Sequence, residues 1–126
     1  MKVAIFGFGT VGVGVYDILA ERDDITVKYV LDIVKHDDIS AISTTDINDI
    51  LNDSDVDTVV EVIGGLKPAY DFVKSALLCG KNVITANKML MSSHYGELTK
   101  LAGDNGVALR YTAAVGGGIP WLVNLE

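Results

Sequence analysis

The chain of 126 residues is poor in cysteine, proline, histidine and cations. Its single thiol, Cys79, cannot form an internal disulfide, so packing must hold the fold, and a reducing, cytoplasmic setting fits. Cys79 itself reads as a small, partly buried side chain near the end of a helix. The two histidines, His36 and His94, fall in polar segments without an evident partner, which argues against a metal cluster or a nucleophilic triad. Ten lysines and arginines against seventeen acids leave a net charge of −7. No basic stripe is available for phosphate backbones, which argues against a nucleic-acid or acidic-membrane partner. No stretch approaches the ~20 apolar residues of a membrane span. The uncharged run Val3–Tyr16 is interrupted by Gly7, Gly9, Gly12 and Gly14, unlike a targeting segment. What remains is one acidic domain, long enough to bury roughly two thirds of its unfolded surface, with a small molecule as its partner.

Glycine, by contrast, is abundant and placed with purpose. Lys2-Val-Ala-Ile-Phe6 runs straight into Gly7-Phe8-Gly9-Thr10-Val11-Gly12, and Asp32 closes the next apolar run. At G-x-G-x-x-G spacing between a strand and a helix, each glycine answers a separate need. Gly7 allows a tight turn, Gly9 keeps a side chain away from an approaching pyrophosphate, and Gly12 lets the helix press on the strand. The helix that follows turns its free N–H groups and positive dipole end toward the anion. An acid twenty residues past the last glycine supplies the context that the fingerprint requires.

The remaining pattern alternates strand and helix. Strands are expected over Val3–Phe6, Thr26–Leu31, Asp57–Ile63, Asn82–Thr85 and Val107–Tyr111. Helices are expected over Val11–Ala20, from an Asp46 cap to Leu51, from Pro68 to about Cys79, and over Ser93–Ala102, where Gly103 ends the last. Asp37–Ser43 reads as a polar loop. The fold class is therefore α/β, a doubly wound, mostly parallel sheet of the Rossmann type in strand order 3-2-1-4-5. A cofactor crevice is expected between strands one and four.

Ligands of such sheets bind at the carboxyl ends of the strands. Those ends carry the glycine loop, Asp32, Gly64-Gly65, Ala86-Asn87-Lys88 and Thr112-Ala-Ala-Val-Gly-Gly-Gly118. Asp32 is placed to accept hydrogen bonds from ribose hydroxyls and to repel a 2′-phosphate, which favours NAD over NADP. Lys88 stands at a helix start, against the dipole. It either meets an anionic ligand, moves a proton, or points away as an exposed lysine. Asn87 serves a turn or a ligand, and Glu61 is either a solvated strand end or a buried acid with a partner. The glycine run 116–118 before Ile119-Pro120 is either a flexible loop or a backbone nest for an ion. Trp121, Leu122, Val123 and Leu125 have too little sequence after them to be covered, so the chain reads as the N-terminal part of a longer protein.

Together, Gly7-Phe-Gly-Thr-Val-Gly12, Val60-Glu-Val-Ile-Gly-Gly65 with Pro68-Ala69, Gly80-Lys-Asn-Val-Ile-Thr-Ala-Asn-Lys88 and Ala113-Ala-Val-Gly-Gly-Gly-Ile-Pro120 resemble homoserine dehydrogenase. The resemblance covers nearly the whole chain, and its later motifs are more specific than the first. It implies an oxidoreductase of threonine and methionine biosynthesis that interconverts L-aspartate 4-semialdehyde and L-homoserine with NAD(P)H. It also implies a homodimer formed through a later domain, which carries the principal catalytic lysine. The implied cofactor-binding set is Gly7, Phe8, Gly9, Thr10, Val11, Gly12, Asp32, Ile63, Gly64, Lys88 and Gly116, with Lys88 also assisting proton transfer. A monovalent cation, sodium, is implied on the carbonyls of Val115, Gly117 and Ile119, although Thr112 stands where many members place a cation-holding glutamate. Leu31 stands where NADP-preferring members often carry arginine, in keeping with NAD. Other readings are the nucleotide domain of another amino-acid or semialdehyde dehydrogenase, and a nucleotide sensor without chemistry.

Overall fold

Val3 to Phe6 are buried without exception, because β1 (Lys2–Phe6) is central in a sheet with helices on both faces. The computed structural model describes residues 1–111. Alternation along β1 sends Val3 and Ile5 to one side, against Val15 and Leu19 of α1 (Thr10–Ala20). Ala4 and Phe6 go to the other, against Val73, Ala76 and Leu77 of α3 (Ala69–Leu78) and Leu90 and Leu98 of α4 (Lys88–Asp104). Ile50 of the short α2 (Asn48–Leu51) joins that second layer. Burying a side chain of the size of Phe6 or Ile5 contributes about 1.5–3 kcal/mol, so two apolar layers on one strand anchor the domain.

The other strands are β2 (Thr26–Leu31), β3 (Ile42–Thr44), β4 (Thr58–Glu61), β5 (Asn82–Thr85) and β6 (Leu109–Tyr111). Every pairing is parallel, and the order is β3-β2-β1-β4-β5-β6. This is the expected 3-2-1-4-5 pattern with one further strand at the edge. The occupant of the third place differs from expectation. Ile42–Thr44, whose first two residues were expected in a polar loop, pairs with Tyr29–Leu31 and becomes β3. The segment before Ile63 is consequently the fourth strand, and it lies directly beside β1. Three residues are too few for alternation to register, and the pairing itself makes this edge a strand.

Helix limits shift for similar local reasons. The N-cap of α2 is Ile47 rather than the expected Asp46, which stands one residue earlier and accepts the Asn48 N–H at 2.9 Å. The last helix begins at Lys88 rather than Ser93, because the Asn87 carboxamide accepts the Leu90 N–H at 3.0 Å. His94 breaks it internally (φ −131°, ψ 20°), so the expected helix is only its second limb. Gly103 lies within the last turn, and Gly106, at φ +67°, follows the actual end. Cys79 is exposed rather than partly buried, because α3 ends there and its apolar face has already been used by Ala76 and Leu77.

The amino-terminal edge of the sheet is pinned by polar contacts. Asp53 accepts from Tyr29 Oη (2.9 Å) and the Asp55 N–H (3.0 Å), and pairs with Lys28 Nζ at 2.6 Å. Hydrogen bonding to Lys28, then to backbone and Tyr29, lowers its carboxyl to about 2. The Lys81 ammonium is buried and donates to the carbonyls of Asp53 (2.9 Å) and Val56 (2.7 Å). Burial pushes it below the usual lysine range.

Candidate dinucleotide-binding site

The loop after β1 gives each fingerprint glycine its own reason. Gly7 has φ +99°, and its N–H donates to the Leu31 carbonyl at 2.8 Å. A Cβ on Gly12 would lie 2.2 Å from the Gly7 carbonyl oxygen, so helix and loop touch through backbone. Gly9 is different. Beyond its chain neighbours and its own helix, a Cβ there would meet no atom of the described residues within 4 Å, yet Gly9 lines a cleft of about 430 Å³. Packing among the described residues does not require this glycine, and its bare backbone leaves the cleft wall open. Gly9 also opens α1 with no side-chain cap and no acid in the first turn, which leaves that end for an anion.

At the far side of the cleft stands Asp32, one residue past β2. Its Oδ1 accepts the Ile33 N–H (2.8 Å), and its Oδ2 lies 2.8 Å from His36 Nε2. His36 in turn donates its backbone N–H to Ser43 Oγ (2.8 Å) and sets its ring edge-on to Phe8, 4.8 Å between centroids. His36 therefore has a partner, contrary to expectation, because the loop folds back four residues onto the acid. His94 has partners too: it stacks on Tyr70 (4.2 Å) and lies 3.4 Å from Glu97.

The third part lies after β4 and β5. Glu61 is completely buried. Its Oε2 accepts the N–H groups of Ile63 (2.8 Å) and Gly64 (3.3 Å), and its Oε1 accepts the Thr85 hydroxyl. Thr85 Oγ1 accepts the Asn87 N–H at 3.0 Å, and the Asn87 carboxamide donates to the Gly65 carbonyl. The two loops are thereby one unit, with Gly64 and Gly65 at positive φ (+82° and +70°) completing the turn. Of the alternatives for Glu61, it is the buried acid with partners, while Asn87 caps and ties.

Seven expected residues line the cleft together: Gly7, Phe8, Gly9, Thr10, Val11, Asp32 and Ile63. Gly12 sits beneath the loop, and Gly64 and Lys88 lie outside the lining. Lys88 is exposed at the first turn of α4, with no side-chain partner among the described residues. Gly116 and the cation set Val115, Gly117 and Ile119, together with Thr112, lie outside the described residues. Ile33, Thr45, Val62, Pro68 and Phe72 also line the cleft and were not expected, and so does Leu31, which the resemblance had set before the acid. Their side chains carry no chemical signal, and residues as distant as Thr45 and Phe72 meet only through the fold. The end of β2 and the Pro68 helix start were the available pointers.

The parallel sheet, glycine turn, open helix end and acid after β2 define a dinucleotide-binding domain of the Rossmann type. A family model for the homoserine dehydrogenase NAD-binding domain matches residues 7–112. The chain belongs to that family and is an NAD(P)-binding domain of it. It is 38% identical to homoserine dehydrogenase of Bacillus subtilis, over all of this chain and 32% of the relative. It is 37% identical to that of Lactococcus lactis, over 99% of this chain and 33% of the relative. The crystal structure of S. aureus homoserine dehydrogenase at pH 7.5 superposes with a TM-score of 0.82 at 38% identity, covering 90% of this chain and 33% of that one. The chain thus spans about a third of the length of the curated relatives it matches.

Proposed function

We propose that this domain serves an enzyme that interconverts L-aspartate 4-semialdehyde and L-homoserine, binding NAD in preference to NADP. The observation that carries the reading is the meeting on one cleft of six residues of the glycine–acid fingerprint and Ile63, at a glycine that packing among the described residues does not demand. Residues fit the cofactor in three places. Gly9, Thr10 and Val11 would take the pyrophosphate, Asp32 the ribose hydroxyls, and Ile63 and Gly64 the nicotinamide side.

Reduction of an aldehyde to an alcohol delivers a hydride to carbon and a proton to oxygen. The nicotinamide supplies the hydride when bound. The chain's own residues orient it, and Lys88, beside the β4 and β5 loops, holds a proton for the carbonyl oxygen and takes it back in the reverse direction. A later domain would complete the substrate site, provide the principal catalytic lysine and form a homodimer in the cytoplasm. A sodium ion would sit on the carbonyls of Val115, Gly117 and Ile119. Small polar substrates suit the acidic, uncharged-loop surface better than nucleic acid or membrane.

Gly9→Val tests the reading directly, because a Cβ at Gly9 has open space among the described residues and the branched side chain would project at the cleft. Titration with NADH followed by nicotinamide fluorescence should show binding to the original chain and a loss of at least tenfold in the folded variant, since an obstructed phosphate forfeits several charge-assisted hydrogen bonds of about 1.5–3 kcal/mol each. Unchanged affinity in the variant overturns the placement.

A further inference from the structure

We propose that the buried carboxylate of Glu61 sets the relative affinity of this domain for the oxidised and reduced forms of its nicotinamide cofactor. The inference rests on the dinucleotide-binding reading above. Its starting point is an unusual charge. Glu61 is 0% exposed, and a buried acid normally has a cation beside it. Among the described residues no lysine, arginine or histidine pairs with it. Residues 112–126 contain none of the three.

Its three partners all donate: the N–H groups of Ile63 and Gly64 and the Thr85 hydroxyl. Thr85 Oγ1 accepts the Asn87 N–H and donates its own proton to Glu61. Two backbone N–H groups and a hydroxyl supply the donors that a carboxylate anion satisfies. Hydrogen bonds hold the charge in place, but they do not neutralise it.

The location gives that charge a use. Asp32 marks the adenosine side of the cleft, beyond β2, and β4 lies on the opposite side of β1. A dinucleotide lying across the crevice places its second half over the β4 end. Glu61 is the last residue of β4, and the carboxylate is bonded to Ile63, which lines the cleft. The oxidised nicotinamide ring carries a formal positive charge, and the reduced ring does not. A fixed anion behind the loop therefore favours the oxidised form. A unit charge acting over roughly 10 Å at an effective dielectric of about 20 changes affinity by about tenfold.

Glu61→Gln keeps the shape of the network. Its carbonyl can accept the two backbone N–H groups, and its amide can donate to Thr85 Oγ1. Dissociation constants for NAD⁺, by calorimetry, and NADH, by fluorescence, are measured on the full chain with and without the substitution, with circular dichroism to confirm folding. The expected result is a ratio of NADH to NAD⁺ dissociation constants that falls about tenfold, mainly through weaker NAD⁺ binding. Equal loss for both forms, or no change, overturns the proposal and leaves Glu61 a loop tie. If Glu61→Gln does not fold, Asn87→Asp decides. It adds an anion to the same network at a position where aspartate still caps the helix, and it should move the ratio the opposite way. An unmoved ratio there also overturns the proposal. Failure of the original chain to bind either form overturns the dinucleotide reading itself, and this inference with it.

Discussion

Asp32 offers one carboxylate for two purposes. His36 Nε2 and the Ile33 N–H hold its oxygens at 2.8 Å each, which fixes the plane of the group while leaving lone pairs toward the cleft. If those lone pairs take the ribose hydroxyls, Asp32→Ala should weaken NAD binding roughly ten- to a hundredfold, about 1.5–3 kcal/mol. NADP should lose little or gain, since a like charge near its 2′-phosphate is gone. Titration of both cofactors against the variant reads this, and an unmoved ratio means the acid serves only its own loop. Lys88 raises a different question, because it is exposed and lies against the dipole of α4. In the full-length enzyme, Lys88→Ala should lower kcat by roughly 10²–10⁴ while the cofactor Kd changes much less. Lys88→Arg should not restore the rate, because a guanidinium does not release its proton near neutral pH. A near-normal kcat with a raised KM would make Lys88 a binding charge instead.

At the scale of elements, legibility followed the strength of the local signal. The β1–turn–α1 unit was readable in detail, because backbone sterics alone dictate Gly7 and Gly12. β2 and β5 fall within the expected bounds, being β-branched runs closed by polar residues. β3 was not readable: Ile42–Thr44 is a strand only because Tyr29–Leu31 offers an edge to pair with. The first limb of α4 was missed although Asn87 announced it. Met89-Leu90-Met91-Ser92 has no amphipathic period, and the capping bond to Leu90 is what fixes the start. The Glu61–Thr85–Asn87 link joins two elements more than twenty residues apart, and no single segment encodes it.

Across the whole molecule, the two ends of the sheet are treated differently. Glycine loops leave the carboxyl end open for a ligand, while charged and buried polar contacts lock the amino end around Asp53, Lys28 and Lys81. This division predicts a response to acid. The carboxyl of Asp53 is lowered from 3.8 to about 2 in the fold, chiefly by Lys28. Its stabilising contribution is therefore complete above the ordinary carboxylate range and is lost as pH falls through about 2. Urea unfolding of the original chain and of Asp53→Asn, compared from neutral pH down to about 2, should show the difference between them shrinking over that last interval. A difference that is constant with pH would mean that Asp53 acts without its charge.

At this same scale the division between sequence and structure is clear. By itself the sequence determined the class of fold, the glycine turn, the acid after β2 and the family. The fold class follows from periodicity, the glycine turn from backbone geometry, and the family from the resemblance of four motifs. Tertiary structure alone decided that His36 meets Asp32, that Thr45, Pro68 and Phe72 complete the cleft, and that Glu61 is buried among hydrogen-bond donors with no ion-pair partner among the described residues. The physical reason is distance along the chain. A turn or a cap is an interaction among neighbours and is written in adjacent residues. Burial and cross-loop hydrogen bonds arise only when β4 and β5 are set side by side beside β1.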